Sequence, residues 1–517
     1  MNEEIAEYYE ELYRLYIDEN QPLERRYRQL RESLERVVRE RIQGNSLQIT
    51  DLAARINYVA TQYELDIKEQ NQLHTFRLTS NDILNHRKFP AKEEFLRDLR
   101  AVAFAYRKMF AQDIPLKLFS VLPKQEITSL GKKEKKEYIR RIRVCFDYAD
   151  DTYLYVHPVD IIADEPIRVV YNKPGINHEF EETIKELWRY AQLNLLDVFV
   201  DREGIYTPSF IVLEPDYLID ISSLAECYKD YGSHPANYFL SRLVPIDNAR
   251  PLLLGNIANL FLDEWIHAGE EEPDYIDCMK KAFRQYPIEL AACAELRDPS
   301  KEKEFAKDCR MHFEHIRDIV QHTFLEPGYN LDKKDAVLEP SYICEALGIQ
   351  GRLDYMQRDM SSFIEMKSGK ADEFSIQGKV EPKENNKVQM LLYMAVLEYS
   401  MGQDRRRMHP YLLYTRYPLL YPARASWAQV RRVINLRNRI VAAEYGVQFH
   451  NHSDFTRNLL AQINPEVMNE RKLRGRFWEQ YLKPSISRFR EKLSALEPLE
   501  QAYFYTLYNF ITKELYT

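Results

Sequence analysis

The residues best suited to chemistry lie in one short stretch, GIQGRLDYMQRDMSSFIEMKSGK, at positions 348–370. The segments IQGRLDYM and SSFIEMK both have the character of β-strands, and a short polar turn separates them. A hairpin loop centred between positions 359 and 360 places Asp354 directly opposite Glu365. Strand alternation then puts Lys367 on the same face as Glu365. The spacing therefore predicts two carboxylates and one ammonium group on one side of a hairpin.

Two carboxylates that face each other repel, so this arrangement favours a cation between them. Oxygen ligands that leave part of the coordination shell open suit Mg²⁺ or Mn²⁺, which retain waters and bind substrate phosphate. Such a metal activates a bound water, and Lys367 is placed to orient that water or to stabilise developing negative charge. These residues predict hydrolysis of a phosphodiester. The alternative is a surface hairpin in which Glu365 and Lys367 form an ordinary salt bridge.

The segment after the hairpin, NNKVQMLLYMAVLEYS, has the apolar spacing of a helix. Gln389 and Tyr393 lie four residues apart on one flank of this helix. From there both side chains could reach the site or the backbone of a nucleic acid. The alternative is two polar residues at the edge of an ordinary core helix.

Taken in order, GRLD, EMK and QMLLY resemble the motifs G-x-x-D, (D/E)-x-K and Q-x-x-x-Y of the RecB-like nucleases of the PD-(D/E)XK superfamily. The chain is most similar to the nuclease half of nuclease-helicases that process flaps and resected DNA ends, over about residues 205–445. The resemblance implies that Asp354 and Glu365 bind the metal and that Lys367 is the catalytic lysine. It also implies that Gln389 and Tyr393 support substrate binding.

The resemblance bears on two further metal ligands. Glu339 falls where these nucleases carry a glutamate before the aspartate strand, although a glutamate there could equally cap a loop. RecB-like nucleases usually carry a metal-binding histidine in a pattern resembling G-x-x-x-H, and Asn259 occupies that place in LLLGNIANLFLDEW. An amide oxygen can ligate Mg²⁺, though more weakly than a carboxylate. The segment CRMHFEHIRDIVQH contains three histidines, His312, His315 and His322. They are either alternative metal ligands or solvated residues on a helix surface.

The expected nucleic-acid surface is an arginine-rich segment after Met401. The whole chain has a formal net charge of −8, yet residues 401–440 contain nine arginines and one acid. Arg431, Arg432 and Arg437 lie in a helix that resembles the arginine-rich helix of the RecB-like group, and we expect them to neutralise DNA phosphates. A solvated basic helix face is the alternative for any single arginine. Many relatives hold an iron–sulfur cluster, but no cysteine follows Tyr393, so no cluster is expected.

The elements that must position these residues predict an α+β fold with four parts. We expect a helical N-terminal region at 1–119, a β-rich, barrel-like domain at 120–249, a restriction-endonuclease-like α/β nuclease core at 250–447 and a helical tail at 448–517. Apolar residues at threes and fours predict helices at 23–42 and 91–111. Alternation predicts a hairpin at 142–155, and one helix is expected near 181–194.

The predicted function is metal-dependent cleavage of DNA with a single-stranded end or flap, with Mg²⁺ or Mn²⁺ as the cofactor. No G-x-x-x-x-G-K-[ST] motif occurs, so this chain should not hydrolyse ATP. Relatives generally continue into a motor, which predicts a helicase partner in cis, as a missing C-terminal part, or in trans. Six cysteines without a CxxC pair, and no apolar run near about 18 residues, predict a cytoplasmic protein without a membrane span.

Two other functions are compatible with the same residues. One is a catalytically weak or inactive DNA-binding or scaffold subunit that keeps the nuclease fold, which Asn259 favours and the intact Asp354, Glu365 and Lys367 set disfavours. The other is an enzyme that cuts RNA. DNA repair and antiviral defence are both compatible with the predicted chemistry.

Overall fold

A computed structural model describes residues 3–42, 49, 51–123, 138–161, 163, 165–243, 250–374, 379–424, 426–449 and 453–514. The predicted α+β class is confirmed: helices form the N-terminal and C-terminal regions, and the strands form several small sheets. The chain divides into two compact units, Met1–Glu214 with Tyr445–Asn451 and Pro215–Glu444 with His452–Thr517. None of the helices in the described ranges has the length and apolar character needed to cross a membrane.

The first unit begins with a bundle of helices around one hydrophobic core. Tyr27, Leu30 and Leu34 of the second helix are fully buried, as the apolar spacing predicts. The Tyr27 hydroxyl donates to the buried carboxylate of Asp98 at 3.0 Å, which joins the second and fifth helices. The helices of this unit are α1 (Glu3–Ile17), α2 (Leu23–Ile42), α3 (Leu52–Gln62), α4 (Ile67–Leu84), α5 (Lys92–Phe110), α6 (Leu116–Phe119) and α7 (Glu181–Lys185).

The strands of the first unit form a closed ring. They are β1 (Tyr138–Ala149), β2 (Tyr153–Pro158), β3 (Ile167–Val170), β4 (Gln192–Val200), β5 (Tyr206–Thr207) and β6 (Phe210–Leu213). The sheet runs β1-β2-β3-β5-β4-β6, and β1 also pairs with β4, which closes the ring. The predicted β1–β2 hairpin is confirmed. The helix predicted near 181–194 is wrong beyond Lys185, because the chain from Gln192 is a buried strand that pairs with β1 and β6.

The remaining α-helices of the described ranges belong to the second unit, except that the part of α15 from Tyr445 onward clusters with the first. They are α8 (Ile221–Ala225), α9 (Ala236–Leu243), α10 (Arg250–His267), α11 (Tyr275–Gln285), α12 (Pro287–Ala292), α13 (Pro299–Gln321), α14 (Glu384–Met401), α15 (Trp427–Phe449), α16 (Ser453–Ala461), α17 (Pro465–Met468), α18 (Lys483–Ser494) and α19 (Pro498–Glu514). Residues 215–243, expected in the β-rich domain, cluster with this unit, where α8 packs on α14.

The central sheet of the second unit has the order β16-β15-β12-β11-β8. Strand β11 is antiparallel to β8 and to β12, and α14 then carries the chain across to β15, which is parallel to β12. The strands of this unit are β7 (Ile219–Asp220), β8 (Ala336–Leu338), β9 (Ser341–Cys344), β10 (Ile349–Arg352), β11 (Tyr355–Gln357), β12 (Ser362–Lys367), β13 (Asp372–Phe374), β14 (Lys379–Glu381), β15 (His409–Tyr414) and β16 (Leu419–Pro422).

The two faces of β12 have different environments. Ile364 and Met366 belong to a hydrophobic core that also includes residues of α10 and α13. Successive side chains of a strand point to opposite faces, so Glu365 and Lys367 are directed away from this core. Burying Ile364 and Met366 on one side therefore fixes the orientation of Glu365 and Lys367, which share their face with the buried Phe363.

Candidate active site

The hairpin formed by β11 and β12 has the register that the sequence predicts. Tyr355 pairs with Ile364, and Met356 pairs with Phe363. Continued by one residue, this register sets Asp354 opposite Glu365. A shift of the strand register by one residue would move every side chain of the strand to the opposite face of the sheet. The buried partners Tyr355 and Ile364 therefore also determine which way the two carboxylates point.

Asp354 lies just before β11 and is held by the backbone of the opposite strand. Its Oδ2 accepts a hydrogen bond from the Met366 amide at 2.6 Å. Burial raises the pKa of Asp354, and the hydrogen bond from Met366 and the positive charge of Lys367 oppose this rise. The carboxylate is therefore fixed in position while it carries an electrostatic cost that a cation would relieve.

The surroundings of Glu365 strongly perturb its carboxyl group. Its side chain is 6% exposed, and Oε1 accepts from Lys367 and from Gln389, whereas Oε2 is buried and has no described hydrogen-bond partner. Burial, and then the charge of Asp354, raise the pKa of Glu365 to about 8. A buried carboxylate oxygen without a donor is unfavourable, and a hard cation would satisfy it. The donor set of Asp354 and Glu365 thus fits a divalent metal.

Lys367 and Gln389 form a short network with Glu365. The Lys367 ammonium donates to Glu365 Oε1 at 2.9 Å and to Gln389 Oε1 at 2.8 Å. Gln389 Nε2 donates in turn to Glu365 Oε1 at 2.6 Å. Burial alone would lower the pKa of Lys367, but the contact with Glu365 outweighs it and raises that pKa. Lys367 is therefore charged, and Gln389, predicted to support substrate binding, contacts the two charged side chains of the site.

Tyr393 occupies a buried position beneath the strand that leads to Asp354. Its side chain is 1% exposed, and its hydroxyl donates to the backbone carbonyl of Arg352 at 2.6 Å. A Cβ added at Gly351 would lie 3.1 Å from the Tyr393 ring and hydroxyl. The tyrosine and the glycine of these motifs therefore fit together. Tyr393 supports the backbone of the aspartate strand from inside the fold, where a substrate has no access to it.

Residues 219–226 approach the same site, although the sequence reasoning assigned them no role there. The short strand β7 pairs with β10 through Ile219 and Ile349. On α8, Ser222 Oγ accepts from Gln389 Nε2 at 3.2 Å. Glu226 contributes negative charge that helps raise the pKa of Lys367. A short helix far from the motifs in sequence gives no periodic signal, so only the tertiary structure reveals this contribution.

The side chains of the two additional predicted metal ligands, Glu339 and Asn259, form no described hydrogen bond with the carboxylate of Asp354 or Glu365. Glu339 Oε2 forms an ion pair with Arg352 at 3.1 Å, and its amide donates to the Asp354 carbonyl at 3.1 Å. Asn259 is half-buried on α10 and shows no hydrogen bond to either carboxylate in the described structure. Across the described ranges, no group of three or more His, Cys, Asp and Glu side chains is assembled closely enough to hold a metal ion.

The face of α10 that carries Asn259 nevertheless runs along the site. One turn before it, a Cβ added at Gly255 would lie 3.3 Å from Ser368, directly after β12. One turn after it, the pKa of Asp263 is raised to about 6 by burial and then by the charges of Glu339 and Asp354. Asp263 is therefore a further acidic side chain near the site. Its spacing of four residues from Asn259 is the sequence signal that could have identified it.

The three predicted DNA-binding arginines of α15 occupy different environments. Arg432 is exposed, and Arg431 is 9% exposed. Arg437 is fully buried, and its guanidinium donates to the carbonyls of Gly348 and Tyr217. A guanidinium enclosed in this way cannot reach a phosphate, so the expected role of Arg437 is corrected to a structural one. Its positive charge is stabilised by carbonyl dipoles of two chain segments distant in sequence.

Of the histidines considered as substitute ligands, His312 and His315 lie on α13, and His322 directly follows this helix. His312 is fully buried, and burial lowers its pKa to about 4. His315 Nδ1 lies 2.9 Å from the Thr415 carbonyl oxygen.

Comparison with known proteins assigns this chain to no family. No protein-family model matches the chain, and no curated protein matches it either.

Proposed function

We propose that this chain is a metal-dependent nuclease of the RecB-like PD-(D/E)XK type that cleaves DNA carrying a single-stranded end or flap. The observation that carries the proposal is the unpartnered, buried Oε2 of Glu365 beside Asp354. Two carboxylates held together in this way are unfavourable without a cation. Mg²⁺ is commonly bound by one or two carboxylates, with water and substrate phosphate completing its shell. Two protein carboxylates are therefore enough to bind this metal ion.

The side chains around the carboxylates have separable roles in this proposal. When bound, Mg²⁺ or Mn²⁺ would lower the pKa of a bound water and neutralise charge on the scissile phosphate. Lys367, held by Glu365 and Gln389, keeps a positive charge at the edge of the site, where it can stabilise negative charge that develops on the phosphate. Gln389 is a positioning residue, because it fixes Glu365 and Lys367 relative to each other.

The substrate class rests on the arginines and on the resemblance of the motifs. Arg432 is exposed on α15 and is the member of the predicted set best placed to contact phosphate. Cleavage of ends or flaps implies that another component opens duplex DNA, so we propose a helicase or ATPase partner, in cis or in trans. Purified alone, the chain is expected to cut strands that are already open, to leave blunt duplex largely intact and to lack ATPase activity.

A second function is favoured by one specific observation. Asn259 replaces the expected histidine, and no third acidic or histidine ligand joins Asp354 and Glu365 in a metal cluster among the described residues. A subunit of this kind would bind DNA through the same fold and cleave it weakly or not at all.

A metal titration with a labelled flap substrate separates the two functions. We expect cleavage that requires Mg²⁺ or Mn²⁺ and that stops with EDTA. Asp354→Ala and Lys367→Ala should each reduce cleavage by about a hundredfold or more, since each removes a group acting on the transition state. Asp318→Ala on α13 is a matched control, because this half-buried carboxylate pairs only with Arg317 among the described ion pairs.

Each outcome of that titration is informative. Cleavage that persists in both site variants would exclude these residues from the mechanism. Flap binding by the wild-type chain without cleavage at any metal concentration would favour the scaffold function.

A further inference from the structure

The first unit contains a polar cavity that the proposed nuclease function does not use. Its volume is about 400 Å³, and four arginines line it: Arg31, Arg55, Arg77 and Arg143. They come from α2, α3, α4 and β1, so four separate elements direct guanidinium groups into one space. Like charges repel, and a fold does not gather four of them without something to offset the repulsion.

Two of these guanidinium groups have free donors. Arg77 is 3% exposed. Its Nη2 donates to the Val159 carbonyl, and its Nε donates to His74 Nδ1 at 3.4 Å. The third nitrogen of this guanidinium, Nη1, has no hydrogen-bond partner in the described structure. Arg55 donates through Nε to the Ile49 carbonyl at 3.0 Å, and neither of its terminal nitrogens has a described partner. Backbone carbonyls thus fix the orientation of both side chains while donors are left for a ligand.

The carboxylates that line the cavity offset the charges of Arg55 and Arg77 only from a distance: Asp51 acts on both arginines, Glu35 on Arg55 and Asp160 on Arg77. Glu35 pairs with Arg31 at 2.8 Å. Asp51 caps α3 by accepting from the Ala53 amide at 2.5 Å, and Asp160 is exposed. No ion pair within 4.0 Å joins either unpaired arginine to a carboxylate in the described ranges. Four arginines against three carboxylates also leave one excess positive charge around the cavity.

We infer that this cavity binds the phosphate group of a phosphomonoester of about nucleotide size. A phosphate offers three acceptor oxygens, and planar guanidinium groups donate to it in pairs. A buried Arg77 with an open Nη1 is preorganised for such an acceptor, and Asn81 at the wall adds an amide. The volume lies within the usual range for small-molecule sites. The phosphate could belong to a free nucleotide or to the end of a nucleic-acid strand.

The test is a binding titration of the full chain in EDTA, which excludes metal-dependent binding at the other site. The probes are thymidine 5′-monophosphate with thymidine as its control, and a short single-stranded oligonucleotide with or without a 5′-phosphate. We expect thymidine 5′-monophosphate to bind and thymidine not to bind. We also expect the 5′-phosphate to strengthen oligonucleotide binding, since a strand without it can still bind the DNA surface proposed on α15. The measured quantity is this phosphate-dependent binding. Arg55→Gln should weaken it at least tenfold, and Arg202→Gln, a matched change at an exposed loop position of the same unit, should leave it unchanged.

The probes also distinguish the two sources of phosphate. Tight binding of the mononucleotide indicates a free nucleotide, whereas a phosphate-dependent gain in oligonucleotide affinity without binding of the mononucleotide indicates a strand end. Arg31→Gln provides a second variant at the cavity wall should Arg55→Gln unfold. Affinities that do not depend on the phosphate for either the mononucleotide or the oligonucleotide, an equal loss in the cavity and loop variants, or no binding of any probe would overturn the inference.

Discussion

Replacing Gln389 with leucine tests the network that holds the two charged side chains of the site. Gln389 is 4% exposed and makes hydrogen bonds to Glu365, Lys367 and Ser222. Leucine is close in volume but supplies neither a donor nor an acceptor. Two of the lost bonds involve ionisable groups, and bonds of that kind contribute about 1.5–3 kcal/mol each. Because such losses are not additive, we expect Gln389→Leu to lower the free energy of unfolding by about 3 kcal/mol.

The same substitution should reduce cleavage more than it reduces substrate binding. Without Gln389 the Lys367 ammonium keeps one described partner, Glu365, and can move away from the reacting phosphate. Loss of a residue that orients metal ligands typically costs about 10–100-fold in metal affinity or activity. We therefore expect a lower kcat, a higher Mg²⁺ requirement and a nearly unchanged affinity for the flap substrate.

Urea unfolding and a metal titration of flap cleavage measure the two effects separately. Asn386→Leu is the matched control on α14, since the Asn386 side chain is buried and donates to the Tyr414 hydroxyl at 2.6 Å but makes no described hydrogen bond to Glu365 or Lys367. It should lower stability and preserve the Mg²⁺ requirement. If Gln389→Leu and Asn386→Leu changed stability and metal dependence alike, the network would have no specific role and our reasoning would be refuted.

Three further predictions follow from particular contacts. Gly348→Ala should lower the free energy of unfolding by about 3 kcal/mol, because Gly348 has a φ of 64° and a Cβ there would overlap the Arg437 guanidinium. An unchanged urea midpoint would contradict the described packing. Arg432→Ala should weaken DNA binding and flatten the slope of log K against log salt by about 1, as measured by anisotropy at several salt concentrations; an unchanged slope would show that DNA binds elsewhere. Burial, and then the charge of Arg77, lower the pKa of His74 from 6.5 to about 3, so the unfolded chain binds a proton that the folded chain does not. Stability should therefore fall by about 1.4 kcal/mol per pH unit as the pH drops from 6.5 towards 3, and His74→Gln should remove that contribution in unfolding curves measured across this range.

Much of the candidate site could be predicted from local sequence because its geometry depends on short-range periodicity. The alternation of apolar and charged residues in β12, with a polar turn before it, is sufficient to set Asp354 opposite Glu365. The same is true of α2, whose apolar residues recur at helical spacing from Leu23 to Ile42. In these segments the pattern of burial and the local backbone preference agree, so no distant contact is needed to specify the element.

Other features depend on contacts between segments that are distant along the chain. The sequence around Gln192 is compatible with a helix, but pairing with β1 and β6 makes it a strand. Gln389 and Tyr393 were expected near a substrate, yet their partners are protein groups. The partners of a polar side chain cannot be read from its spacing along one helix, because they come from whichever segments the fold brings against it.

By itself, the sequence determined the α+β class, the hairpin register and the residue types that face each other across it. Only the tertiary structure decided which charged residues are accessible. Arg432 and Arg437 lie on one arginine-rich helix, but Arg432 is exposed and Arg437 is enclosed by the carbonyls of Tyr217 and Gly348. The physical reason is that burying a charge requires compensating dipoles. Those dipoles come from segments 220 and 89 residues away, which local spacing cannot reveal.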